Sequence, residues 1–434
     1  MRQSVNVGLI GIGTVGGGVA RALLEKVHFL ERRVGARVHL ARVCDRDGRR
    51  SKALRIPANR VTRDARKVLH DPEIHIIVEL IGGIEPAKRF ILEAMKAGKH
   101  VVTANKALIA EAGRELFAAA DRYGVDLYFE ASVCGGIPII KALREGLVGN
   151  EVDAIIGIVN GTSNYILTQM RDKQLSFHES LLEAKQHGYA ERDHSLDVDG
   201  HDAAHKLAIL VLLGFGVPVR QEELHIEGIS HISLADIQYA EEMGYCIKPL
   251  AIAKKVDGEL DVRVHPALLS RTHLLANVNG VYNAVYVHGD MVGAQLFYGR
   301  GAGQSPAASA VLSDIVDVAR NVAHGVAKRI PSPPAPKGLR LRRIDHVETR
   351  YYLRFMVIDR PGVLANIAGA LGRHGISIAS VHQKERRAAR IVPVVIMTHE
   401  AREADMRLAL AAIDRFAQVK SPTVAIRTEA PRAQ

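Results

Sequence analysis

The stretch Gly8-Leu-Ile-Gly11-Ile-Gly13-Thr-Val-Gly16, close to the start of the chain, decides the fold of its first part. A strand-like run leads into it and a helical pattern follows. In such a Gly-x-Gly-x-x-Gly turn the glycines allow a tight bend, a close approach to a pyrophosphate and close packing of helix on strand. The stretch predicts a dinucleotide site, unless it is a glycine-rich turn without a ligand. The cofactor would contact six consecutive residues: Gly11, Ile12, Gly13, Thr14, Val15 and Gly16.

Around this turn, apolar runs and helical patterns alternate through residues 1–133, which predicts an α/β fold with a doubly wound parallel sheet of the Rossmann type. The expected strands are Val5–Ile10, Val38–Val43, Ile74–Leu80, Val101–Thr103 and Asp126–Phe129. The expected helices are Val15–Val27, Arg63–Leu69, Pro86–Ala97 and Glu111–Tyr123. A helix over 305–328, with Pro306 in its first turn, is expected to complete this domain.

The rest of the chain divides into two further parts. Residues 134–304 place helices and strands in separate runs, which predicts an α+β domain for substrate binding and dimerisation. Four prolines between Ile330 and Gly338 indicate a linker over 329–345. Residues 346–434 follow the order βαββαβ of a ferredoxin-like domain, with one strand expected over Arg390–Thr398.

The composition is that of a globular protein with two or three cores, because the 434 residues are 47% hydrophobic and 24% charged. The longest apolar run, Ala208–Gly216, is far shorter than the roughly 20 residues of a membrane span, so we expect no membrane partner. The cysteines Cys44, Cys134 and Cys246 fit reduced thiols in the cytoplasm. Most of the net charge of +11 lies in the C-terminal part without interleaved aromatic residues. We expect a solvated basic face there and no nucleic-acid partner.

The densest group of charges in an apolar setting lies between Gly188 and Lys206. Asp202 and Lys206 are four residues apart and therefore share one face of the helix that begins there. Such a pair is often a plain surface salt bridge, but this helix continues as an apolar segment. A partly desolvated lysine can act as a general acid or base. Glu191 and Asp197 would then bind a cationic group such as the ammonium of an amino acid.

Two other stretches follow expected strands and indicate ligand binding. Thr103-Ala-Asn-Lys106 places Lys106 at the carboxyl end of a sheet strand, where the ligands of such sheets bind. Asn160-Gly-Thr162-Ser-Asn precedes a helix and is either a carboxylate site or a simple N-cap. Cys134 could be a nucleophile, but an inert thiol is the interpretation we favour.

The choice of nicotinamide cofactor depends on the end of the second strand. A carboxylate there accepts a hydrogen bond from the ribose 2′-OH of NAD, whereas an arginine pairs with the 2′-phosphate of NADP. The sequence supplies both groups, in Asp45 and Arg46, and Arg49 and Arg50 add positive charge. This favours NADP or dual use; NAD stays open, and so does the interpretation that these are ordinary exposed charges.

These motifs, taken together, closely resemble those of homoserine dehydrogenase. The resemblance rests, in chain order, on Gly11-Ile-Gly-Thr-Val-Gly16, Thr103-Ala-Asn-Lys106, Glu130-Ala-Ser-Val133, Asn160-Gly-Thr-Ser-Asn164, Gly188-Tyr-Ala-Glu191, Gly200-x-Asp202-Ala-Ala-x-Lys206 and Gly301-Ala-Gly303. The stretch that starts at Asp359-Arg-Pro-Gly362 resembles an ACT domain, an amino-acid-sensing module that the long bacterial form of the family carries in this place. The family interconverts L-aspartate 4-semialdehyde and L-homoserine with NAD(P)H, in threonine, methionine and isoleucine synthesis.

The resemblance implies a role for individual residues. Lys206 would donate a proton to the carbonyl oxygen as hydride arrives, with Lys106 as the second catalytic lysine. This fits the chemistry, because reduction of an aldehyde places charge on an oxygen that an ammonium stabilises and protonates. The substrate would be held by Asp202 and Glu191, with support from Asp197 and Thr162. Further cofactor contacts would come from Thr103, Lys106, Gly188 and Gly303.

The resemblance also implies ligands away from the reacting atoms. The family binds a structural sodium ion, largely through backbone oxygens, at positions that match Glu130, Val133, Gly135 and Ile137. The ACT domain implies an amino-acid effector, with threonine as the pathway product, at Gly362 and Asn366, unless the domain only aids assembly. A homodimer or homotetramer is expected.

Two other functions stay open on the sequence alone. A non-catalytic nucleotide and amino-acid sensor would use the same folds for binding only. Another dehydrogenase of amino-acid metabolism, such as aspartate-semialdehyde dehydrogenase, would need a cysteine poised by a histidine to form a thioester, with Cys134 as the candidate.

Overall fold

The computed structural model describes residues 4–191, 193–333, 338–383 and 391–429. Residues 334–337 of the expected linker and Arg390, at the start of an expected strand, lie outside this description. The chain forms two compact units, one of residues 1–155, 205–223 and 283–337, the other of residues 156–204, 224–282 and 338–434.

Helices and strands occur along the whole described part of the chain. The helices are α1 Thr14–Glu25, α2 Val27–Val34, α3 Arg49–Ala53, α4 Arg66–Leu69, α5 Ala87–Lys96, α6 Lys106–Tyr123, α7 Ile139–Lys141, α8 Gly161–Asp172, α9 Phe177–Gln186, α10 Ser195–Val198, α11 His201–Phe215, α12 Leu234–Glu242, α13 Gln304–His324, α14 Val363–Arg373 and α15 Glu403–Ile413. The strands are β1 Ser4–Ile10, β2 Arg37–Cys44, β3 Val61–Thr62, β4 Ile76–Glu79, β5 His100–Thr103, β6 Leu127–Tyr128, β7 Val152–Ile158, β8 His225–Ile226, β9 Tyr245–Val256, β10 Glu259–Ser270, β11 Tyr282–Gly289, β12 Gly293–Arg300, β13 Arg340–Leu341, β14 Glu348–Thr349, β15 Tyr351–Ile358, β16 Ile378–His382, β17 Ile391–Thr398, β18 Ala401–Arg402 and β19 Val424–Glu429.

The first unit is built on a six-stranded sheet in the order β3-β2-β1-β4-β5-β6, with parallel pairing throughout. This is the strand order of a doubly wound dinucleotide-binding fold, so the fold class predicted from the sequence is confirmed. Both faces of β1 are covered, since Val7 and Leu9 on one face and Gly8 and Ile10 on the other are all buried. Burial of this kind is typical of a central parallel strand.

Helix α13 joins the first unit from far along the chain. It packs against α1 and α2, and its residues Val311, Ile315 and Val318 belong to the same core as Val19 and Leu23 of α1. The chain beyond residue 303 therefore completes the core of the nucleotide-binding sheet.

Several helices of the first unit differ at an end from the sequence-based expectation. The helix expected over Arg63–Leu69 begins at Arg66, and the one expected over 305–328 ends at His324, where Gly325 adopts φ +68°. The helix expected over Val15–Val27 ends at Glu25, because Lys26, at φ −105° and ψ 24°, leaves the helical region before α2 begins. The helix expected over Glu111–Tyr123 begins earlier, at Lys106, because the side chain of Asn105 accepts a hydrogen bond from the backbone N–H of Leu108 and caps it there.

In the second unit, six strands follow each other in the order β9-β10-β19-β15-β17-β16. Strands β15, β16, β17 and β19, with helices α14 and α15, form the βαββαβ domain predicted from the sequence. Its strand β19 pairs in parallel with β10, with Ala267 opposite Arg427. One apolar core accordingly contains Leu268 from β10 together with Tyr352 and Ile426 of the C-terminal domain. The shared sheet was not predicted.

Helix α11 is apolar along most of its length, and Leu207, Leu210 and Val211 are fully buried. Among the described residues, no helix combines the length and the hydropathy that crossing a membrane requires.

Candidate active site

The glycine-rich turn after β1 has the geometry that its sequence predicted. Gly11 adopts φ +97°, a backbone conformation that side chains other than glycine rarely adopt. A Cβ atom on Gly16 would lie 2.0 Å from the carbonyl oxygen of Gly11, so helix and turn could not approach as they do with any larger residue. Helix α1 begins directly after Gly13, which places its amino end at the turn. Such an end attracts an anion.

A cavity of about 840 Å³ lies beside this turn, and its lining includes Gly11, Gly13, Asp45, Arg46 and Arg50. The Oδ2 atom of Asp45 accepts a hydrogen bond of 3.1 Å from the backbone N–H of Gly48. The guanidinium of Arg50 donates to the carbonyl oxygen of Ile12 at 3.1 Å. The structure thus brings both candidate cofactor-selecting residues, the carboxylate and the arginine, to one cavity with the glycine-rich turn.

The segment that carries Lys106 is held by a buried carboxylate. Glu79, at the carboxyl end of β4, accepts a hydrogen bond of 2.7 Å from the hydroxyl of Thr103 and another of 2.8 Å from the backbone N–H of Ile81. Burial raises the pKa of the Glu79 carboxyl. The Nδ2 group of Asn105 donates to the carbonyl oxygen of Gly83 at 2.6 Å.

Lys106 itself is half-buried and is the first residue of α6. Sequence reasoning missed Glu79 and Asn105 as residues that organise this edge of the sheet. A carboxylate at the end of the apolar run Ile76–Glu79 is the signal that could have found the first, and a capping residue directly before Lys106 could have found the second.

Residues 130–137 form a tight, buried turn. The carboxylate of Glu130 accepts hydrogen bonds of 2.9 and 2.8 Å from the backbone N–H groups of Ile140 and Lys141, and burial raises its pKa to about 6. Val133 and Ile137 are buried, and Cys134 lies at φ +49°, takes part in no disulfide and is 1% exposed. Because each oxygen of the Glu130 carboxylate already accepts an N–H group, a cation at this turn would be held largely by backbone oxygens. Oxygen ligands of this kind suit a hard cation.

The start of α13 also lies near the glycine-rich turn. Gly303 is the N-cap of this helix, at φ +113°. The side chain of Gln304 donates a hydrogen bond of 2.9 Å to the carbonyl oxygen of Thr14. Gly303 therefore lies near the amino end of α1. Sequence reasoning passed over Gln304, since a glutamine in a turn carries no distinctive signal.

In the second unit, three buried or half-buried polar side chains meet at the amino end of α8. The Nδ2 group of Asn160 donates to Oδ1 of Asp197 at 2.7 Å and to Oδ2 of Asp202 at 2.8 Å. Its Oδ1 atom accepts from the backbone N–H of Ser163 at 2.8 Å, so Asn160 is also the N-cap of α8. The sequence left a ligand site and an N-cap as alternatives for this stretch, and the same side chain makes the cap and joins two candidate substrate carboxylates.

The segment from Gly188 to Glu191, which precedes Asp197 and Asp202 in the chain, is also hydrogen-bonded to α8. The hydroxyl of Thr162 donates to the carbonyl oxygen of Tyr189 at 2.7 Å. The ring of Tyr189 packs edge-on against Tyr165, with ring centroids 5.0 Å apart. Gly188 adopts φ +72°, and Glu191 lies further along in the exposed part of the segment. Thr162 and Gly188 are thus brought together, whereas Glu191 is at the solvent edge.

Helix α11 carries the lysine that the sequence singled out. Asp202 is 6% exposed and Lys206 is 9% exposed, one helical turn further on. His205 is half-buried on the same helix. A lysine residue buried to this degree lies where solvent screens charge little, which is the setting expected for an acid–base lysine.

The candidate effector residues lie at the start of α14. Gly362 is its N-cap, at φ +87°, and the backbone N–H of Asn366 donates to the Gly362 carbonyl oxygen at 3.0 Å. Both residues are exposed. They are therefore neighbours on an accessible helix end.

Comparison with known proteins gives the family. Three family profiles match the chain: homoserine dehydrogenase, NAD binding domain, over residues 11–130, homoserine dehydrogenase over 138–316 and ACT domain over 351–417. A homoserine dehydrogenase of Pseudomonas aeruginosa is 44% identical over 432 residues, which cover 98% of this chain and 99% of the relative. The chain belongs to the homoserine dehydrogenase family. The homoserine dehydrogenase of Corynebacterium glutamicum is 41% identical over 98% of this chain and 96% of its own length.

Solved structures agree with this family. A homoserine dehydrogenase from Thiobacillus denitrificans superposes with a TM-score of 0.92 at 45% identity, over 98% of each chain. A hyperthermophilic archaeal homoserine dehydrogenase, solved in complex with NADPH, superposes with a TM-score of 0.63 at 28% identity, over 73% of this chain and 97% of that one. The chain is therefore an NAD(P)-dependent oxidoreductase that interconverts L-aspartate 4-semialdehyde and L-homoserine, with a C-terminal ACT domain. The resemblance seen in the sequence is confirmed over the whole chain.

Proposed function

We propose that this homoserine dehydrogenase holds its substrate through Glu191, Asp197 and Asp202, supported by Thr162, and protonates the substrate carbonyl oxygen through Lys206. One observation carries the proposal: Asp202, joined to Asp197 by Asn160, is buried one helical turn before a buried lysine. A carboxylate cluster and an ammonium on one helix supply the two kinds of group that an amino-acid aldehyde needs.

The carboxylates suit the α-ammonium group of the substrate. An ammonium has three N–H donors and no acceptor, so it is satisfied by several carboxylate oxygens at once. Asn160 donates to one oxygen of Asp197 and to one oxygen of Asp202, which keeps the two carboxylates side by side. Charge-assisted hydrogen bonds of this type are about twice as strong as neutral ones.

Lys206 would act on the oxygen that changes charge. When bound, the nicotinamide cofactor supplies the hydride for reduction and accepts it in the reverse direction. As the carbonyl carbon is reduced, negative charge develops on its oxygen, and Lys206 stabilises this charge and then transfers its proton to that oxygen. In the oxidation of homoserine the neutral amine takes the proton back. Lys106, at the carboxyl end of β5, would be the second lysine of the site and contact both cofactor and substrate.

The remaining cofactor contacts follow from the cavity of the first unit. We expect the pyrophosphate at the segment Gly11–Gly16, with Thr103, Gly188 and Gly303 as further contacts. Because the hydroxyl of Thr103 is committed to Glu79, its backbone would make that contact. Arg46 and Arg50 line the cavity together with Asp45, which favours NADP or dual use over strict NAD use.

A structural sodium ion would lie at the turn of residues 130–137. The backbone oxygens of Glu130, Val133, Gly135 and Ile137 would hold it, since the Glu130 carboxylate is already engaged. The ion would fix the turn and take no part in proton transfer. An increase of the unfolding temperature with sodium, but not with an equal ionic strength of tetramethylammonium, is the expected result.

Regulation and assembly complete the proposal. Threonine would bind at Gly362 and Asn366 and lower the activity. The protein would form a homodimer or homotetramer in the cytoplasm, where the thiols of Cys44, Cys134 and Cys246 stay reduced.

Initial rates test this proposal as a whole. Purified protein is given homoserine with NADP or NAD, with and without threonine, and reduction of the cofactor is followed by absorbance. We expect turnover with homoserine, a higher kcat/KM with NADP than with NAD, and inhibition by threonine. Turnover that depends on Cys134 instead would contradict the proposal.

A further inference from the structure

A buried arginine of the C-terminal domain connects to the carboxylates of the substrate site. Arg427 lies on β19 and is 5% exposed. Its guanidinium donates to Oε2 of Glu227 at 2.8 Å, and through two other N–H groups to both carboxylate oxygens of Glu403 on α15, at 2.8 and 2.7 Å. The hydroxyl of Tyr351 also donates to Glu403, at 2.6 Å. One arginine therefore joins α15 of the ACT domain to a segment of the substrate domain.

Glu227 belongs to a short segment that is fixed on both sides. Its backbone N–H donates to the carbonyl oxygen of Val264 on β10 at 2.8 Å, and its second carboxylate oxygen lies 2.7 Å from Nε2 of His225. Although burial opposes its ionisation, the hydrogen bonds from His225 and Arg427 hold the pKa of Glu227 below its ordinary value. The negative charge of Glu227 is thus retained and directed at Arg427.

Directly after Glu227, the chain packs on the backbone of the substrate segment. The backbone N–H of Ile229 donates to the carbonyl oxygen of Val198 at 2.8 Å. A Cβ atom on Gly228 would lie 2.4 Å from that same oxygen and 2.7 Å from the Cα atom of Asp199. Only glycine at 228 permits this contact. The position of Val198 therefore depends on where the segment Glu227–Ile229 lies.

Val198 follows Asp197, the carboxylate that Asn160 holds. The connection accordingly runs from Arg427 through Glu227 and Ile229 to Val198, and from there to Asp197, by hydrogen bonds or adjacent peptide units at each step. All of these residues belong to the second unit.

We propose that Arg427 is a positioning residue for the homoserine dehydrogenase reaction, whose ion pair with Glu227 fixes the backbone at Val198 and thereby the carboxylate of Asp197 for the substrate ammonium. The inference rests on the proposed function, because it takes Asp197 as a substrate ligand. It makes a strand of the ACT domain part of the support of the substrate site. Arg427 contacts neither substrate nor cofactor and acts through Glu227.

The experiment compares Arg427→Met and Glu227→Gln in the full chain. We expect each variant to raise KM for homoserine about fivefold, while KM for NADP stays unchanged. The double variant should raise KM for homoserine no further than the stronger single variant does, because both changes break the same connection. An Arg427→Lys variant should restore part of the loss.

The matched control is Arg354→Met, which removes a different buried ion pair between the ACT domain and the substrate domain. Arg354 donates to Asp236 at 2.6 and 3.0 Å, at the start of α12. This variant should lower the unfolding temperature without a change of KM for homoserine. If Arg354→Met and Arg427→Met change KM equally, or if neither changes it, Arg427 is a structural residue only.

Three further variants keep the test decisive. If Arg427→Met does not fold, Gly228→Ala replaces it, because the added methyl group would displace Val198; Gly372→Ala, where a Cβ meets nothing within 4 Å, is its control. A Gly228→Ala protein whose KM for homoserine equals that of its parent overturns the inference.

The Asp197→Asn variant separates this inference from the proposed function. If Asp197→Asn leaves KM for homoserine unchanged, the assignment of the substrate site fails. If Asp197→Asn raises this KM and the Arg427 and Glu227 variants do not, only the present inference fails.

Discussion

The side-chain amide of Asn160 donates a hydrogen bond of 2.8 Å to Oδ2 of Asp202, a residue 42 positions further along the chain. Through this bond the cap of α8 is joined to the first turn of α11. Asp202, one helical turn before Lys206, and the helix end that carries Asn160 are therefore fixed to each other by a side chain for which the sequence left a carboxylate site and a simple N-cap as alternatives.

Replacement of Asn160 by alanine should affect both stability and substrate binding. Loss of the cap lowers the free energy of unfolding by about 1 kcal/mol, and loss of the link frees Asp197 and Asp202 to move apart. We expect KM for homoserine to rise about tenfold, a loss of about 1.4 kcal/mol in binding. Ser233→Ala, which removes the cap of α12, is the control. It should cost similar stability and leave KM unchanged; steady-state kinetics and thermal unfolding measure both.

The cofactor preference should depend on Arg46. An Arg46→Ser variant lacks one positive charge in the cavity beside the glycine-rich turn, so kcat/KM with NADP should fall about tenfold, whereas that with NAD should stay nearly constant. Arg37→Ser, at the opposite end of β2 and exposed, should change neither value. Equal losses with both cofactors in the Arg46 variant would show that the arginine does not select the 2′-phosphate.

The buried carboxyl of Glu130 should make a visible contribution to the pH dependence of stability. Its pKa is raised from 4.5 to about 6, above the value in the unfolded chain. The unfolded state therefore releases this proton first as the pH rises, and the folded state loses about 2 kcal/mol of relative stability between pH 4.5 and 6. Denaturant unfolding should show that the free energy of unfolding of the wild type falls relative to that of Glu130→Gln as the pH rises across this range. If the free energies of unfolding of the two proteins change with pH in parallel, the assignment is contradicted.

Threonine inhibition should be sensitive to the start of α14. Asn366→Ala removes a polar side chain beside the exposed helix end at Gly362, so we expect the threonine concentration for half-inhibition to rise about tenfold with the activity in its absence unchanged. Arg373→Ala, at the other end of the same helix, is the control. An Asn366 variant that responds to threonine as its parent does would place the effector elsewhere or leave the ACT domain with assembly alone.

The sequence was sufficient to predict the nucleotide-binding sheet, because its determinants are local. The spacing Gly11-x-Gly13-x-x-Gly16 and the buried run in β1 specify a strand, a turn and a helix within twenty residues of each other. The order βαββαβ of the C-terminal domain was predictable for the same reason. Each helix and strand has its own periodic pattern there.

The contacts that support the site were not predictable, because they join distant parts of the chain. The parallel pairing of β10 with β19 places Ala267 opposite Arg427, 160 positions apart. This pairing is made by main-chain hydrogen bonds, which cannot be recognised in the pattern of side chains along the sequence. Glu227 likewise looks like any charged residue in a loop until its partner is known. The early start of α6 at Lys106 could have been predicted, since Asn105 is a preferred capping residue.

The central claim is that Lys206 transfers the proton, and the turnover number of a Lys206→Ala protein tests it most directly. The variant must be shown to be folded and to bind NADP as its parent does, with His205→Gln as a control on the neighbouring position. A positioned general acid contributes about 100- to 10,000-fold, so we predict that kcat falls by about 1,000-fold while the control keeps its activity. A folded, nucleotide-binding Lys206→Ala protein that turns over homoserine as fast as its parent would contradict the account.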